Sequence, residues 1–274
     1  MMEELSQFSL KDKVVVITGA TGVLGASFSL DIAKAGAKVV VLGRNKERAE
    51  ERVAAIKAAG GEAFSILADV LKENEIYAAK EQILNTWGTI DGLVNAAGGN
   101  IAGAVIQPDQ NLFDANIEDT RQAVDLNLFG TVIPTHIFGR VIAEKGKGSV
   151  VNISSLAAQQ SITRVLGYTM AKTAIEGYTK WMATELALRY GGGVRVNAIA
   201  PGVFLTEQNR NLLINADGTN TDRTMRYITN TPFQRLGRPE ELSGTLIYLL
   251  SDASGFVSGE TILVDGGFNA YSGV

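Results

Sequence analysis

Short apolar, β-branched runs alternate along this chain with longer stretches of helical period. Val14-Val15-Val16-Ile17 precedes a segment that lines Leu24, Phe28, Ile32 and Ala35 along one helical face and stops at Gly36. Val39 to Leu42 is a second run, followed by an Ala/Glu/Lys/Arg-rich helix over Lys46 to Ala59. Phe64 to Ala68, Gly92 to Asn95, Ser149 to Ile153, Val194 to Ala200 and Thr261 to Val264 complete a set of seven predicted strands. Helices are predicted over 73–87, 117–146, about 168–190 and 239–250. Continuous apolar strands imply burial on both faces of a sheet. Their alternation with helices implies right-handed βαβ units and a parallel sheet. The pattern therefore predicts an α/β fold, a single doubly wound Rossmann domain with a seven-stranded parallel sheet flanked by helices. One domain is expected over 1–274, because no Pro/Ser-rich linker or composition break interrupts it. Segment 203–232 stands apart: it is polar, weakly periodic and rich in Asn, Thr and Arg, and reads as a substrate-binding excursion.

Composition removes several chemistries. The chain has 274 residues with no cysteine and one histidine, so thiolate nucleophiles, disulfides and the common zinc sites are excluded. No metal is expected. A net charge of −4 without a basic run argues against nucleic acid. No apolar run reaches the roughly 18 residues of a membrane span. The opening MMEELSQFSLKDK lacks a signal-peptide pattern, so a cytoplasmic location is expected. Lone His136 reads as a packed helix residue, and Trp87 and Trp181 as core or interface.

The first strand runs into Thr18-Gly19-Ala20-Thr21-Gly22-Val23-Leu24-Gly25 and then a helix. Glycines there permit a tight turn and close approach of backbone to a pyrophosphate at the helix N-terminus. The same glycines equally suit a turn with tight helix–strand packing. Further on come Asn95-Ala96-Ala97-Gly98, Asn127 within Asp125-Leu126-Asn127-Leu128-Phe129-Gly130, Ser155, Tyr168-Thr169-Met170-Ala171-Lys172, and Pro201-Gly202-Val203 with Thr206. Together, and in this order, these motifs resemble the classical short-chain dehydrogenases/reductases over nearly the whole chain. One departure is Val23, which holds the place of a glycine in the family's TGxxxGxG pattern, while Gly22 sits one position earlier.

The resemblance implies a nicotinamide cofactor held by Gly19, Thr21, Gly22, Val23, Leu24, Gly25, Asp69, Val70, Asn95, Ala96, Ala97, Gly98, Pro201, Gly202, Val203 and Thr206, with Tyr168 and Lys172. It also implies catalysis by Asn127, Ser155, Tyr168 and Lys172. Tyrosine is a poor acid at neutral pH, and an ammonium one helical turn away stabilises its anion. Asn127 would anchor a water leading from Lys172 to solvent. The second strand ends Leu42-Gly43-Arg44-Asn45 with no carboxylate for a ribose 2′-OH, and Arg44 suits a 2′-phosphate. NADP is expected ahead of NAD. Arg44 also reads as a solvated helix-start residue, and Asp69 as a helix cap.

Polar residues flank the expected substrate pocket: Asn100, Gln159, Arg164, Gln208 and Arg210, with Ser155, are the predicted substrate contacts. Arg164 is the preferred carboxylate clamp. Glu207, Arg210, Arg223 and Arg226 also fall in the segments expected to build the pocket, and the three arginines read equally as solvated or subunit-contact residues. Asn95 to Asn100, Thr163-Arg164-Val165, Phe204 to Arg210 and the ending Asp265 to Val274 resemble the D-mannonate oxidoreductase (D-fructuronate reductase) subgroup. The resemblance implies a keto-sugar acid substrate and a homotetramer. Gluconate 5-dehydrogenase-like and 3-oxoacyl-carrier-protein reductase-like activities remain alternatives, as does a non-catalytic nucleotide sensor.

Overall fold

The computed structural model describes residues 6–207 and 209–273. Val14–Thr18 (β1), Lys38–Gly43 (β2), Glu62–Leu67 (β3), Gly92–Asn95 (β4), Gly148–Ile153 (β5), Val194–Pro201 (β6) and Thr261–Val264 (β7) form one sheet in the order β3-β2-β1-β4-β5-β6-β7. Every pairing is parallel. Alternation within the apolar runs divides them between two cores. Val15, Ile17, Val39 and Val41 face one side, while Val14, Val16, Val40 and Leu42 face the other. Fully burying such a side chain stabilises the fold by roughly 1.5–3 kcal/mol, so both faces must be covered.

Helices Val23–Lys34 (α1), Lys46–Ala58 (α2) and Glu240–Leu250 (α9) cover the first face. Glu73–Trp87 (α3), Gly130–Lys145 (α5) and Leu166–Tyr190 (α6) cover the second. Ile117–Val124 (α4) leads into α5 through a π turn at Asp125–Phe129. The single helix expected over 117–146 is thus one rod whose hydrogen-bond ladder slips in the middle, and it ends where Gly146 turns left-handed (φ 76°). Ile117–Lys145 has the length and mean hydropathy to cross a membrane, yet 56% of its most apolar window is buried inside the fold. It serves as a core helix. Its lone His136 is exposed and lies 6.3 Å from the Tyr178 ring, rather than being packed. Trp87 packs on Phe64, and Trp181 is exposed.

The 203–232 excursion is less irregular than its sequence suggests. It carries Arg210–Leu213 (α7) and Asp222–Asn230 (α8), the latter capped by the Thr221 hydroxyl accepting from the Thr224 N–H. Strand order reverses between β1 and β4, which pair up to Thr18 and Asn95. In sheets of this kind the crevice at that switch point, beyond the carboxyl ends of the strands, is where ligands bind.

Candidate active site

The β1–α1 turn lies in that crevice against the end of β4. The Thr18 hydroxyl accepts from the N–H groups of Ala96 and Ala97, both at 3.2 Å, tying the two turns together. Gly19 has φ 66°, and a Cβ there would come within 2.6 Å of the Ala96 carbonyl oxygen. A Cβ on Gly25 would stand 2.4 Å from the Gly19 oxygen. Only glycine fits either place. Gly22 caps α1 without any side-chain hydrogen bond. The helix N-terminus therefore opens on the crevice as an anion site. Val23, the departure from the family's glycine pattern, lines the same cavity without closing it.

A cavity of about 350 Å³ runs from this turn toward α6. Gly19, Thr21, Gly22, Val23, Leu24, Gly25, Arg44, Asn45, Asp69, Val70, Ala96, Ala97, Gly98, Tyr168, Lys172 and Thr206 all line it. Asn95 does not. Its amide donates to Thr135 Oγ1 and Asn152 Oδ1, both at 2.8 Å, inside a buried polar chain beneath the turn. Pro201, Gly202 and Val203 line a second cavity instead. Asn45 caps α2 by accepting from the Arg48 N–H. Asp69 accepts from the Leu71 N–H and lies 3.7 Å from Arg44, while Lys72 occupies the N-cap of α3. Arg48, which no sequence motif marks, also lines the first cavity, and so does Glu207, which was expected on the substrate side.

The second cavity, about 180 Å³, adjoins the first, and Tyr168 lines both. Ser155 lies on the second side and Lys172 on the first. Tyr168 and Lys172 are one turn apart on α6, with the Lys172 ammonium 5.4 Å from the Tyr168 ring centroid. Lys172 Nζ donates to the Ile153 carbonyl at 2.7 Å. Burial pushes the Tyr168 phenol up, and its hydrogen bond with Ser155 opposes that. Burial also lowers Lys172, to about 8.

Asn127 sits in the π turn, a helical irregularity frequent at functional sites. Its side chain clamps Gly99, with Oδ1 accepting from the Gly99 N–H at 2.9 Å and Nδ2 donating to the Gly99 carbonyl at 2.8 Å. A Cβ on Gly98 would lie 2.6 Å from Asn127 Oδ1 and 3.5 Å from Lys172 Nζ. The amide of Asn127 thus holds the Gly98–Gly99 turn beside Lys172. This is the contact the structure gives it, next to the water-anchoring role expected of it.

The substrate-side expectations divide. Asn100 and Ser155 line the second cavity. Gln159 does not, because its amide donates to Glu176 at 2.5 Å. Arg164 does not either. Its backbone is left-handed (φ 78°), and its guanidinium turns away to Ile106 O at 2.9 Å and Gln107 Oε1 at 2.7 Å. Arg210 is exposed on α7, outside the lining, and Gln208 lies outside the described residues. The walls are also more apolar than the sequence suggests, with Leu156, Ile162, Val165, Leu212 and Leu213 among them. The cation that does face this cavity is Arg223 on α8. It donates to Thr163 Oγ1 at 3.0 Å, Thr163 O at 3.1 Å and the Tyr227 hydroxyl at 2.9 Å. No carboxylate pairs with it among the described residues. Arg223 thus lies where the polar excursion was expected to meet the pocket, whereas Tyr227, four positions on along the same helical face, was findable from the Thr221 cap that starts α8.

A short-chain dehydrogenase family model described as enoyl-(acyl carrier protein) reductase matches residues 19–269. The chain is a short-chain dehydrogenase/reductase. As a member of that family it is an oxidoreductase acting on hydroxyl groups and their carbonyl counterparts. The uncharacterized oxidoreductase UxuB of Bacillus subtilis (strain 168) is 42% identical, the match covering 97% of this chain and 98% of the relative. A crystal structure of a candidate D-mannonate oxidoreductase from Haemophilus influenza, with bound NAD, superposes with a TM-score of 0.89 at 37% identity, covering 97% of this chain and 98% of that one. A gluconate 5-dehydrogenase from Burkholderia cenocepacia, in complex with NADP and tartrate, gives 0.85 at 32% identity over 97% and 98% of the two chains. In this short-chain dehydrogenase/reductase, β1 and β4 carry the glycine turn and the 98–99 turn at their carboxyl ends, and α6, which follows β5, adds the Tyr168–Lys172 pair.

Proposed function

We propose that the chain transfers hydride between NAD or NADP and the keto carbon of a small carboxylated sugar, D-fructuronate being reduced to D-mannonate. The observation that carries the substrate class is Arg223. It is a cation whose hydrogen bonds go to Thr163 and Tyr227 rather than to a carboxylate among the described residues, in the cavity that Ser155 and Tyr168 also line. A guanidinium offers a planar fork to a carboxylate. The candidate D-mannonate oxidoreductase and the tartrate-bound gluconate dehydrogenase, both acting on or binding hydroxy acids by description, support the same class.

The glycine cradle and the uncapped start of α1 fit a dinucleotide pyrophosphate. The bound nicotinamide supplies or accepts the hydride. Tyr168 donates a proton to the carbonyl oxygen during reduction and accepts it back during oxidation. Ser155, hydrogen-bonded to Tyr168, orients the same oxygen. The Lys172 ammonium stabilises the phenolate left on Tyr168. Asn127 keeps the 98–99 turn against Lys172. Exposed Met170, Trp181 and Leu188 share one stripe of α6, which fits the helical face of a second copy in the expected homotetramer.

The state of Lys172 sets a pH limit. Lys172 is charged below about pH 8 and neutral above it, so reductive kcat/KM falls with unit slope as pH rises through about 8. A Lys172→Met variant, measured across the same range, loses that limb together with most of its activity. Stability moves the other way. The unfolded chain keeps the proton up to its ordinary 10.5, so folding gains as pH rises from about 8 toward 10.5. Urea denaturation of the parent, compared with Lys172→Met, reads that gain.

One observation favours a second reading. The apolar walls at Leu156, Ile162, Leu212 and Leu213 suit an acyl chain. Rates of NADH and NADPH oxidation with fructuronate, tagaturonate, 5-ketogluconate and an acetoacetyl thioester decide between the two. The highest kcat/KM is expected with fructuronate. A preference for the thioester, or no turnover of any sugar acid, removes the sugar-acid reading.

A further inference from the structure

Two guanidinium groups, on Arg44 between β2 and α2 and on Arg48 in the first turn of α2, line the first cavity. Each is matched by a carboxylate from elsewhere in the chain. Arg44 lies 3.7 Å from Asp69 beyond β3. Arg48 Nη1 donates to Glu207 Oε2 at 2.6 Å, across the cavity from the segment that follows β6. The β2 end is where this fold reads the ribose 2′ position: a carboxylate there accepts from a 2′-hydroxyl, and arginine accommodates a 2′-phosphate. This chain has no carboxylate at the β2 end itself. The carboxylates that face these guanidinium groups come instead from beyond the neighbouring β3 (Asp69) and from the segment after β6 (Glu207).

We infer that Glu207 sets the cofactor preference by neutralising Arg48. A 2′-phosphate meets a guanidinium whose charge is already matched, and it meets a carboxylate that repels it. A 2′-hydroxyl feels neither penalty. The side chains are 42% and 61% exposed, so the pair is weak enough for a phosphate to compete with it, and salt screens it. Removing the Glu207 charge leaves Arg48 free to face the phosphate. In a water-like dielectric that change is worth about three- to tenfold in affinity for the phosphorylated dinucleotide.

The inference rests on the nicotinamide reading of the first cavity, and the test separates the two. Dissociation constants for NADPH and NADH are measured by calorimetric titration at low and high ionic strength, with no substrate present. The proteins are the unsubstituted chain, Glu207→Gln, Arg48→Gln and the double variant. Glu207→Gln is expected to bind NADPH about three- to tenfold more tightly, with NADH unchanged. The gain disappears in the double variant and shrinks at high salt. Equal shifts for both dinucleotides would make Glu207 a strap over the cavity rather than a selector, and would overturn the inference. So would an unchanged NADPH/NADH ratio, or a weaker NADPH complex. If the unsubstituted chain binds neither dinucleotide, the nicotinamide reading fails first and the inference falls with it.

Discussion

Replacing Tyr168 with Phe lowers kcat for carbonyl reduction by about a thousandfold or more and leaves dinucleotide binding within a few-fold of the parent. Tyr168 is the one titratable side chain that lines both cavities among the described residues. The titratable groups on the first side alone are Arg44, Arg48, Asp69, Lys172 and Glu207, and on the second side Arg223 and Tyr227. None of them bridges the junction, so no neighbour can take over the proton. Phe keeps the ring that packs at the junction and over which Lys172 sits at 5.4 Å. The fold and the first cavity therefore survive, and the loss falls on kcat. Single-turnover kinetics beside a binding titration separate the two effects. Turnover within tenfold of the parent would place the acid elsewhere.

The second large effect is at Arg223. Exchanging Arg223 for Gln removes the cation from the substrate cavity and leaves a substrate carboxylate unpaired there. Losing one partner of a desolvated, hydrogen-bonded charge pair costs about 2–5 kcal/mol. Arg223 is half-buried, which places it toward the lower end. We expect kcat/KM for fructuronate to fall about 30- to 150-fold, from about 2–3 kcal/mol. Arg223→Lys keeps the charge without the fork and falls between. A neutral ketose serves as the control. Its slow turnover should be nearly insensitive to the exchange, because Arg223 has nothing to pair with on it. Equal losses for both substrates would mean that Arg223 acts only through its bonds to Thr163 and Tyr227, holding the excursion in place.

Much of this was legible in the chain, for physical reasons. Val14 to Ile17 or Val39 to Leu42 are too apolar and too short to be anything but strands buried on both faces, and the alternation with helices dictated a parallel sheet. The glycine turn could be read because Gly19 and Gly25 answer to steric demands set by backbone alone. Tyr168 and Lys172 meet because helical geometry brings positions four apart together. Side chains aimed by tertiary contacts were another matter. Arg164 looked like the clamp until its left-handed backbone and its bonds to Ile106 and Gln107 turned it away. Gln159 is drawn aside by Glu176, a partner on a different element. The π turn that carries Asn127 leaves no mark on an otherwise helical pattern. Arg48 and Glu207 meet only because the sheet brings the ends of β2 and β6 to one edge.

The most direct measurement of hydride transfer to a sugar acid follows a labelled cofactor. NADH or NADPH carrying deuterium at the transferable position is incubated with the enzyme and fructuronate, and the product is examined by NMR and mass spectrometry. The expected product is D-mannonate with one deuterium at the former carbonyl carbon, formed in step with cofactor oxidation and absent with Tyr168→Phe. Unlabelled product, or no sugar-acid product while an acetoacetyl thioester is reduced, would contradict the assignment.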